Sequence, residues 1–241
     1  MDYREFPPPP HLQHFVKLGW TLEVPDDGPA WVTHVATPDG CMEIIRRLEG
    51  RSRWDGDQPE AFVAGIITRP TALELGRGSR FVGIRIWPWT WPALTGRSPA
   101  ELTDRWAGVS EVSPDLVLPA SLDGLFQLAA RAVPAPRADL IAALLACGTP
   151  GELSARTGLS PRNLQRWFER NVGQPPRLWL RLLRFGDAFA ELPAAHASLA
   201  EHALDHGYAD QAHMARDFKL LAGAPARRAR RHARGPFLSP T

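Results

Sequence analysis

The sequence predicts an α+β protein: a β-rich barrel or sandwich, then an all-α domain in which a long helix joins two helix-turn-helix motifs. Short runs rich in Val, Ile, Trp and Phe, separated by Pro, Gly and Asp clusters, fill the first part of the chain and are typical of strands. From Ser98 onward, helix caps and apolar residues three or four positions apart replace this pattern. We place the β-rich domain at residues 1–97, connecting helices at 98–147, the helical domain at 148–234 and a tail at 235–241.

Composition narrows the class of protein. With 241 residues, 44% hydrophobic and 22% charged, the chain accommodates two modest domains. The sequence contains no visible membrane span, and the N-terminal MDYREFPPPP lacks the apolar core of a signal peptide, so we expect a cytoplasmic protein with no membrane partner. Cys41 and Cys147 are the two cysteines, which excludes a disulfide framework and a four-thiolate metal site and predicts two buried thiols.

Five runs in the first domain have the composition of strands and predict a small sandwich or barrel. They are Phe15–Val24, Trp31–Thr37, Cys41–Leu48, Phe62–Thr68 and Phe81–Trp87. Seven of the nine tryptophans lie in this half of the chain. Trp87 and Trp89 are therefore candidates for an aromatic pocket that binds a flat or cationic ligand. Their density fits equally well a role in the core of the domain.

Three helices are predicted between the β-rich domain and the first helix-turn-helix motif. Ser98-Pro-Ala-Glu101 is a capping box with proline at the first helical position, which predicts a helix that continues through Trp106. Apolar residues at helical spacing predict two more helices, over Ser121–Val133 and Arg137–Cys147.

The first helix-turn-helix motif begins at Thr149, which forms a capping box with Glu152, and it turns at Gly158. Ser160 then caps a helix that starts with a proline. The face opposite its apolar residues carries arginine and glutamine side chains. Arginine can form bidentate hydrogen bonds to a guanine edge, and glutamine can form them to an adenine edge. The candidate DNA contacts of this helix are Pro161, Arg162, Asn163, Gln165 and Arg166.

The segment Arg177–Leu192 joins the two motifs. Its apolar residues recur at helical spacing, at Leu178, Leu182, Phe185, Phe189 and Leu192. This stripe predicts a buried helical spine that packs against both motifs. Such a spine would hold the two recognition helices about 34 Å apart, the distance between successive major grooves on one face of DNA.

The second motif starts at Ser198, which forms a capping box with Glu201, and its recognition helix starts at Asp210. Met214 and Phe218 lie on one face of that helix. The candidate DNA contacts near or on the other face are Gln211, Ala212, His213, Arg216 and Lys219. Because alanine cannot bond to a base edge, we expect the first recognition helix to read most of the sequence and the second to anchor through phosphates.

Charge is divided unevenly between the two halves of the chain. Residues 1–147 carry 14 Lys+Arg against 18 Asp+Glu, a net charge of −4, whereas residues 148–241 carry 14 against 8, a net charge of +6. The basic half is the one with the helix-turn-helix motifs, which favours a polyanion as its partner. Five arginines between Arg227 and Arg234 either add phosphate contacts or form a solvated tail.

The stretch GYADQAHMARDFKLLAGAPARRAR resembles the signature of the AraC/XylS transcription regulators. The matching positions are Gly207, Tyr208, Gln211, His213, Met214, Arg216, Phe218, Gly223 and Pro225. Ala212 and Ala215 depart from that signature, in which serine or threonine is common. SPRNLQRWFERNVGQPP is similar to the first recognition helix of the same family, so the resemblance covers roughly residues 149–231.

This resemblance implies a sequence-specific DNA-binding transcription regulator and no enzyme. It also implies a cupin-like N-terminal barrel that senses a small-molecule effector, with no cofactor and no metal. The implied partners are double-stranded DNA, the effector, RNA polymerase and, through the connecting helices, a second copy of the chain. Those helices fit equally well a role in packing on the barrel.

Two alternatives remain open. A cupin-type metal oxygenase fused to a DNA-binding module needs two histidines one residue apart with further ligands, whereas the first domain has only His11, His14 and His34. A protein-interaction adaptor would keep the fold without binding DNA. A DNA-repair alkyltransferase with AraC-like helices needs four cysteines, and the chain has two.

Overall fold

The computed structural model describes residues 1–132, 138–194, 198–234 and 237–238, and it confirms the α+β fold. The strands are β1 (Asp2–Phe6), β2 (Val16–Glu23), β3 (Trp31–Ala36), β4 (Met42–Glu49), β5 (Ser52–Arg53), β6 (Ala61–Ala64), β7 (Thr71–Gly76), β8 (Arg80–Ile86), β9 (Trp106–Gly108), β10 (Ala233–Arg234) and β11 (Phe237–Leu238). The α-helices are α1 (Thr90–Thr95), α2 (Val109–Val112), α3 (Leu122–Ala130), α4 (Ala138–Ala146), α5 (Pro150–Thr157), α6 (Pro161–Asn171), α7 (Pro176–Glu191), α8 (Leu199–Asp205), α9 (Gln211–Leu221) and α10 (Ala226–His232).

The strands form two antiparallel sheets. One has six strands in the order β1-β2-β8-β4-β6-β9, and the other has five in the order β10-β11-β3-β7-β5. Each of the five predicted runs contains a strand, although β6 ends at Ala64 rather than reaching Thr68. Strand β7 is not among the predicted runs, because its residues TALELG include a single β-branched side chain and no aromatic one. Its six cross-strand pairs with β3 determine its conformation, which local propensity does not indicate.

The centre of the six-stranded sheet is buried on both faces, as strand β8 shows. Along β8, Val82, Ile84 and Ile86 belong to the core that the sheet shares with the helices, whereas Phe81 and Arg85 point toward the inside of the barrel. Helix α3 lies directly on the outer face, because a Cβ at Gly19 would clash with Cδ1 of Leu122. The barrel therefore has an interior of its own and a second apolar surface that the helices cover.

The prediction of an α-helix through Trp106 is wrong. The Ser98 capping box forms, but it opens a 3-10 helix that ends at Leu102, and Trp106 starts strand β9. Asp104 adopts a left-handed backbone conformation with φ 55°, and its carboxylate accepts hydrogen bonds from N and Oγ1 of Thr68, both at 2.7 Å. This tether redirects the chain into the sheet, which extends past residue 97, the predicted end of the β-rich domain.

The helices of the C-terminal half form as predicted. Helices α5 and α6 make the first helix-turn-helix unit, α8 and α9 make the second, and α7 runs between them. Helices α3 and α4 also form. The predicted end of the first of them, Val133, and the predicted start of the second, Arg137, lie outside the described residues. Helix α3 packs on β2 and β8. This agrees with the interpretation in which the connecting helices pack on the barrel. No helix within the described ranges is long and apolar enough to cross a membrane.

The barrel and the helical domain share one hydrophobic core. Trp179 of α7 is fully buried, and its Nε1 donates a hydrogen bond to the carbonyl oxygen of Gly40 at 2.8 Å. Gly186, two turns further along α7, lies so close to the barrel that a Cβ there would be 2.8 Å from Cα of Asp39. Gln174 Nε2 donates to Thr103 Oγ1 at 2.6 Å. Helix α7 thus runs between the two helix-turn-helix units and also contacts the barrel directly.

The C-terminal strands return to the barrel. Phe237 pairs with Ala36 and Leu238 pairs with Val35, so β11 adds to the edge of the five-stranded sheet. The five arginines that the sequence offers either as phosphate contacts or as a solvated tail precede this strand and lie on α10 and β10. Strand β11 therefore pairs with two residues of β3 whose backbone groups would otherwise lie at the edge of the sheet.

Candidate nucleic-acid interface and barrel cavity

The first helix-turn-helix unit is organised by local hydrogen bonds. Thr149 Oγ1 accepts from the backbone N of Glu152 at 3.2 Å, while the Glu152 carboxylate accepts from the backbone N of Gly148 at 3.0 Å, one residue before the predicted partner. Gly158 ends α5 with φ 66°, the left-handed conformation that favours glycine. Ser160 Oγ accepts from the backbone N of Asn163 at 3.3 Å and starts α6. These bonds set the angle between the two helices.

Helix α6 has one buried and one exposed face. Leu164 and Phe168 are buried. The candidate contacts Pro161, Arg162, Asn163 and Arg166 are exposed, and Gln165 is half-buried. Gln165 Nε2 donates to Oε1 of Glu169 at 3.3 Å, so a carboxylate lies next to the arginines on the exposed face.

The second unit begins with the complete capping box that the sequence predicts. Ser198 Oγ accepts from the backbone N of Glu201 at 3.2 Å, and the Glu201 carboxylate accepts from the backbone N of Ser198 at 2.8 Å, which lowers the pKa of Glu201. Asp210 Oδ1 accepts from the backbone N of His213 at 2.6 Å and caps α9. The His213 ring is half-buried against Tyr208, at 5.1 Å between ring centroids. The other candidate contacts of α9, namely Gln211, Ala212, Arg216 and Lys219, are exposed.

An ion pair and an aromatic cluster attach α9 to the spine α7. Asp217, which is 2% exposed, accepts hydrogen bonds at one oxygen from Nε and Nη2 of Arg181, at 2.9 and 2.6 Å. Nη2 of Arg184 is 3.8 Å from the other oxygen, and the Arg184 guanidinium lies 4.9 Å from the Tyr208 ring centroid. The rings of Phe185 and Phe218 pack edge to face at 5.1 Å. The position of the second recognition helix therefore depends on residues of the spine.

The exposed charges of the helical domain are mainly basic. Exposed arginines and a lysine occur on both recognition helices and on α10, at Arg162, Arg166, Arg170, Arg216, Lys219, Arg227, Arg228 and Arg231. Such a surface attracts a polyanion through its phosphates.

A cavity of about 100 Å³ lies inside the barrel, between the two sheets. Its apolar wall includes Trp20, Leu22, Ile45, Trp54, Phe62, Leu73, Leu75 and Phe81, and its polar wall includes Thr37, Asp39, Cys41, Glu43, Gln58, Thr71 and Arg85. Aromatic walls with a few grouped polar side chains are typical of small-molecule sites.

Carboxylates surround the guanidinium of Arg85, which lines the cavity. Glu43 and Arg85 are directly opposite on β4 and β8, and Oε1 of Glu43 accepts from Nε and Nη2 of Arg85 at 3.0 and 2.9 Å. Oδ2 of Asp39 lies 3.0 Å from Nε of Arg85, and Oε1 of Glu5 lies 3.9 Å from its Nη1. Burial raises the pKa of Glu43 despite the opposing effect of Arg85, and burial also raises the pKa of the Cys41 thiol. The pKa of Arg85 stays above its usual value, because the nearby carboxylates outweigh the effect of burial.

The structure places Trp87 and Trp89 away from this cavity. Their indole N–H groups donate to the backbone oxygens of Gln13 at 3.0 Å and His14 at 2.6 Å. The Trp89 ring is 5.8 Å from that of Trp179, so these tryptophans belong to the core between the two domains. Within the described ranges, no three His, Cys, Asp or Glu side chains are grouped as metal ligands would be. Both cysteines are buried, as predicted.

Two segments of the chain match known protein families. Residues 153–232 match a family described as a helix-turn-helix domain, and residues 4–107 match a domain of unknown function, DUF6597. The C-terminal part of the chain is an AraC-type helix-turn-helix domain. The chain is therefore a DNA-binding transcription regulator. No curated protein matches it.

Solved structures of ToxT from Vibrio cholerae are similar to this chain. One ToxT structure is 8% identical and covers 95% of this chain and 98% of its own, with a TM-score of 0.47. A second, bound to (E)-4-(8-methylnaphthalen-1-yl)but-3-enoic acid, has the same identity, coverage and TM-score. A third, an unsaturated fatty acid-bound wild-type ToxT from strain SCE256, is 9% identical and covers 86% of this chain and 91% of its own, with a TM-score of 0.44.

The charged residues that line the cavity were not predicted, although the strand sequences contain a pattern that indicates two of them. Glu43 and Arg85 occupy the inward-facing phase of their strands, which they share with the apolar residues Ile45 and Phe81. A charge at an inward position of a buried strand indicates either an ion pair or a ligand site. Asp217 was missed for a different reason: its partner, Arg181, is 36 residues away.

Proposed function

We propose that this AraC-type regulator binds a specific operator with both recognition helices and changes its DNA binding when a small molecule occupies the barrel cavity. The observation that supports it best is the joint attachment of α6 and α9 to one spine. Each helix buries an apolar face and leaves polar and basic side chains exposed. Two helices mounted on one rigid element fit two successive major grooves.

The two helices divide the work of recognition in this proposal. On α6, Arg162 and Arg166 contact guanine edges. Gln165 contacts a base after its hydrogen bond to Glu169 breaks. On α9, Arg216 and Lys219 contact mainly phosphates. The further contacts in the proposal are Pro161 and Asn163 on α6 and Gln211, Ala212 and His213 on α9.

A loop provides the route from the cavity to DNA. Thr37, Asp39 and Cys41 line the cavity, and the same loop contacts the spine on its other side. Gly40 accepts the hydrogen bond of Trp179, and Asp39 lies against Gly186. A ligand that moves Asp39 must therefore change the contact between the barrel and α7, which carries both recognition helices.

The remaining partners in this proposal are RNA polymerase and a second copy of the chain. Both follow from regulation at a promoter, and dimers would double the number of DNA contacts. The role also requires access to DNA, in agreement with the cytoplasmic location that the sequence predicts.

Selection of sites from random DNA with the full-length protein tests the proposal. We expect an enriched site with two parts about one helical turn apart, and an affinity that falls steeply with salt. Arg162→Ala should weaken binding and relax one part of the site, whereas Arg97→Ala, an exposed arginine of the N-terminal half, should change neither. The adaptor alternative would be favoured if no site were enriched. It would also be favoured if Arg162→Ala bound DNA as tightly as Arg97→Ala.

A further inference from the structure

We propose that the cavity ligand is a small organic cation, an amine with a compact apolar body, held between the tryptophans and carboxylates of the barrel. This inference rests on the proposed ligand response and adds the chemical class of the ligand. It depends on three properties of the cavity: its charge, its unpartnered polar atoms and its aromatic wall.

The charge balance of the cavity is negative. Asp39, Glu43 and Arg85 are its ionisable lining groups besides the neutral Cys41 thiol, so two carboxylates face one guanidinium. Glu5 adds a third carboxylate at 3.9 Å, although its side chain is 44% exposed and its charge is screened. Lys17 also acts electrostatically on Asp39, but its Nζ lies 3.3 Å from Oδ1 of Asp187 on α7, so Lys17 and Asp187 together add no net charge. A guest with a single positive charge would balance the site, whereas a carboxylate would have to displace an acid from Arg85.

Two buried polar atoms of the lining lack hydrogen-bond partners. Oδ2 of Asp39 accepts none, although it lies 3.0 Å from Nε of Arg85. Nε1 of Trp20 donates none, and the residue is 96% buried, since 4% of its surface is exposed. Buried polar groups in proteins nearly always have partners. An ammonium group would donate to Asp39, and an acceptor atom of the guest or a water beside it would satisfy Trp20.

The wall and the volume define the body of the guest. Trp20 and Trp54 line the cavity, and tryptophan is the aromatic side chain that attracts cations most strongly. The Trp20 ring covers Gly83, where a Cβ would approach it to 2.5 Å, so glycine is what allows the ring to lie flat on the sheet. The cavity of about 100 Å³ is of the same order as the ~150 Å³ apolar cavity that admits benzene. A guest with one six-membered ring is therefore an appropriate probe.

Titration of the full-length protein with benzylamine, benzyl alcohol and benzoate tests this proposal. The three probes share one ring and differ in charge, and binding can be followed by calorimetry and by the fluorescence of the cavity tryptophans. We expect benzylamine to bind about tenfold more tightly than either other probe. Asp39→Asn, which keeps the oxygen that accepts from the backbone N of Cys41, should remove most of this preference. Glu74→Gln, at a partly exposed ion pair with Arg53, is the matched control and should leave it unchanged.

Each other outcome has a definite meaning. Tighter binding of benzoate than of benzylamine would overturn the proposal and identify Arg85 as an anion site. Equal binding of all three probes would also overturn it, because the cavity would then select an apolar ring without regard to charge. No binding of any probe by a protein that still binds its operator would overturn the inference and leave DNA recognition intact. Benzylamine binding by a protein that selects no operator would instead contradict the proposed function alone. If Asp39→Asn does not fold, Trp20→Phe provides the second test and should also weaken benzylamine binding.

Discussion

The ion pair between Arg181 and Asp217 should determine whether the second recognition helix stays attached to the spine. The Asp217 side chain is 3% exposed, and both short hydrogen bonds to its carboxylate come from Arg181. In Arg181→Ala, one carboxylate oxygen would lose both bonds, and the other already accepts none, with Arg184 at 3.8 Å. The variant would thus leave a buried charge with little compensation.

The magnitude follows from the exposure of the two partners. Removing one member of a fully buried pair costs about 3 to 5 kcal/mol. The Arg181 side chain is 35% exposed, so solvent already weakens the attraction, and we expect a loss of about 2 to 3 kcal/mol in the free energy of unfolding. The pair between Arg97 and Glu101, with side chains 45% and 44% exposed, is the control, and Arg97→Ala should cost less than about 1 kcal/mol.

Urea denaturation of the full-length protein measures these differences, and footprinting locates their effect on DNA. Arg181→Ala should weaken protection at the part of the operator that α9 contacts more than at the part that α6 contacts. Replacing both partners by apolar residues, as in Arg181→Met with Asp217→Leu, should recover most of the stability because no buried charge remains. If the free energy of unfolding of Arg181→Ala lies within about 0.5 kcal/mol of that of the original protein, the ion pair does not stabilise the attachment of α9.

Three further predictions concern the spine, sequence readout and pH. Leu182→Ala should cost about 2 to 5 kcal/mol in urea denaturation because Leu182 is fully buried, whereas exposed Leu220→Ala should cost little; equal costs would contradict the spine assignment. Arg166→Ala should cost about 1 to 3 kcal/mol on the preferred site and relax its sequence, whereas Lys219→Ala should weaken all sequences alike and lower the salt slope by about 1; site selection with each variant would reveal the reverse assignment. Burial lowers the pKa of His206, so the unfolded chain binds protons more readily, and stability should decrease as the pH falls below 6.5. Melting curves of His206→Gln should show a shallower decrease, and an unchanged decrease would exclude His206 as its source.

The sequence alone determined the helical half, because its evidence is local. The caps at Ser160, Ser198 and Asp210 bond to backbone groups three residues away, so a short window of sequence contains both partners. The apolar stripe of the spine follows the helical repeat, which placed Phe185 correctly in the core. The same stripe omitted Trp179, whose burial depends on the barrel. The AraC-type domain was recognisable for the same reason, since its turn glycines and buried aromatics keep a constant spacing.

Only the tertiary structure decided the cavity and the contact between domains. Glu43 and Arg85 are 42 positions apart, and the strand register that makes them neighbours is not encoded in either strand alone. Composition could not distinguish tryptophans of the cavity from tryptophans of the core. The fold assigned Trp20 to the cavity and Trp89 to the surface that α7 covers. Side chains on one strand point to opposite faces, and what covers each face depends on elements that arrive from distant parts of the chain.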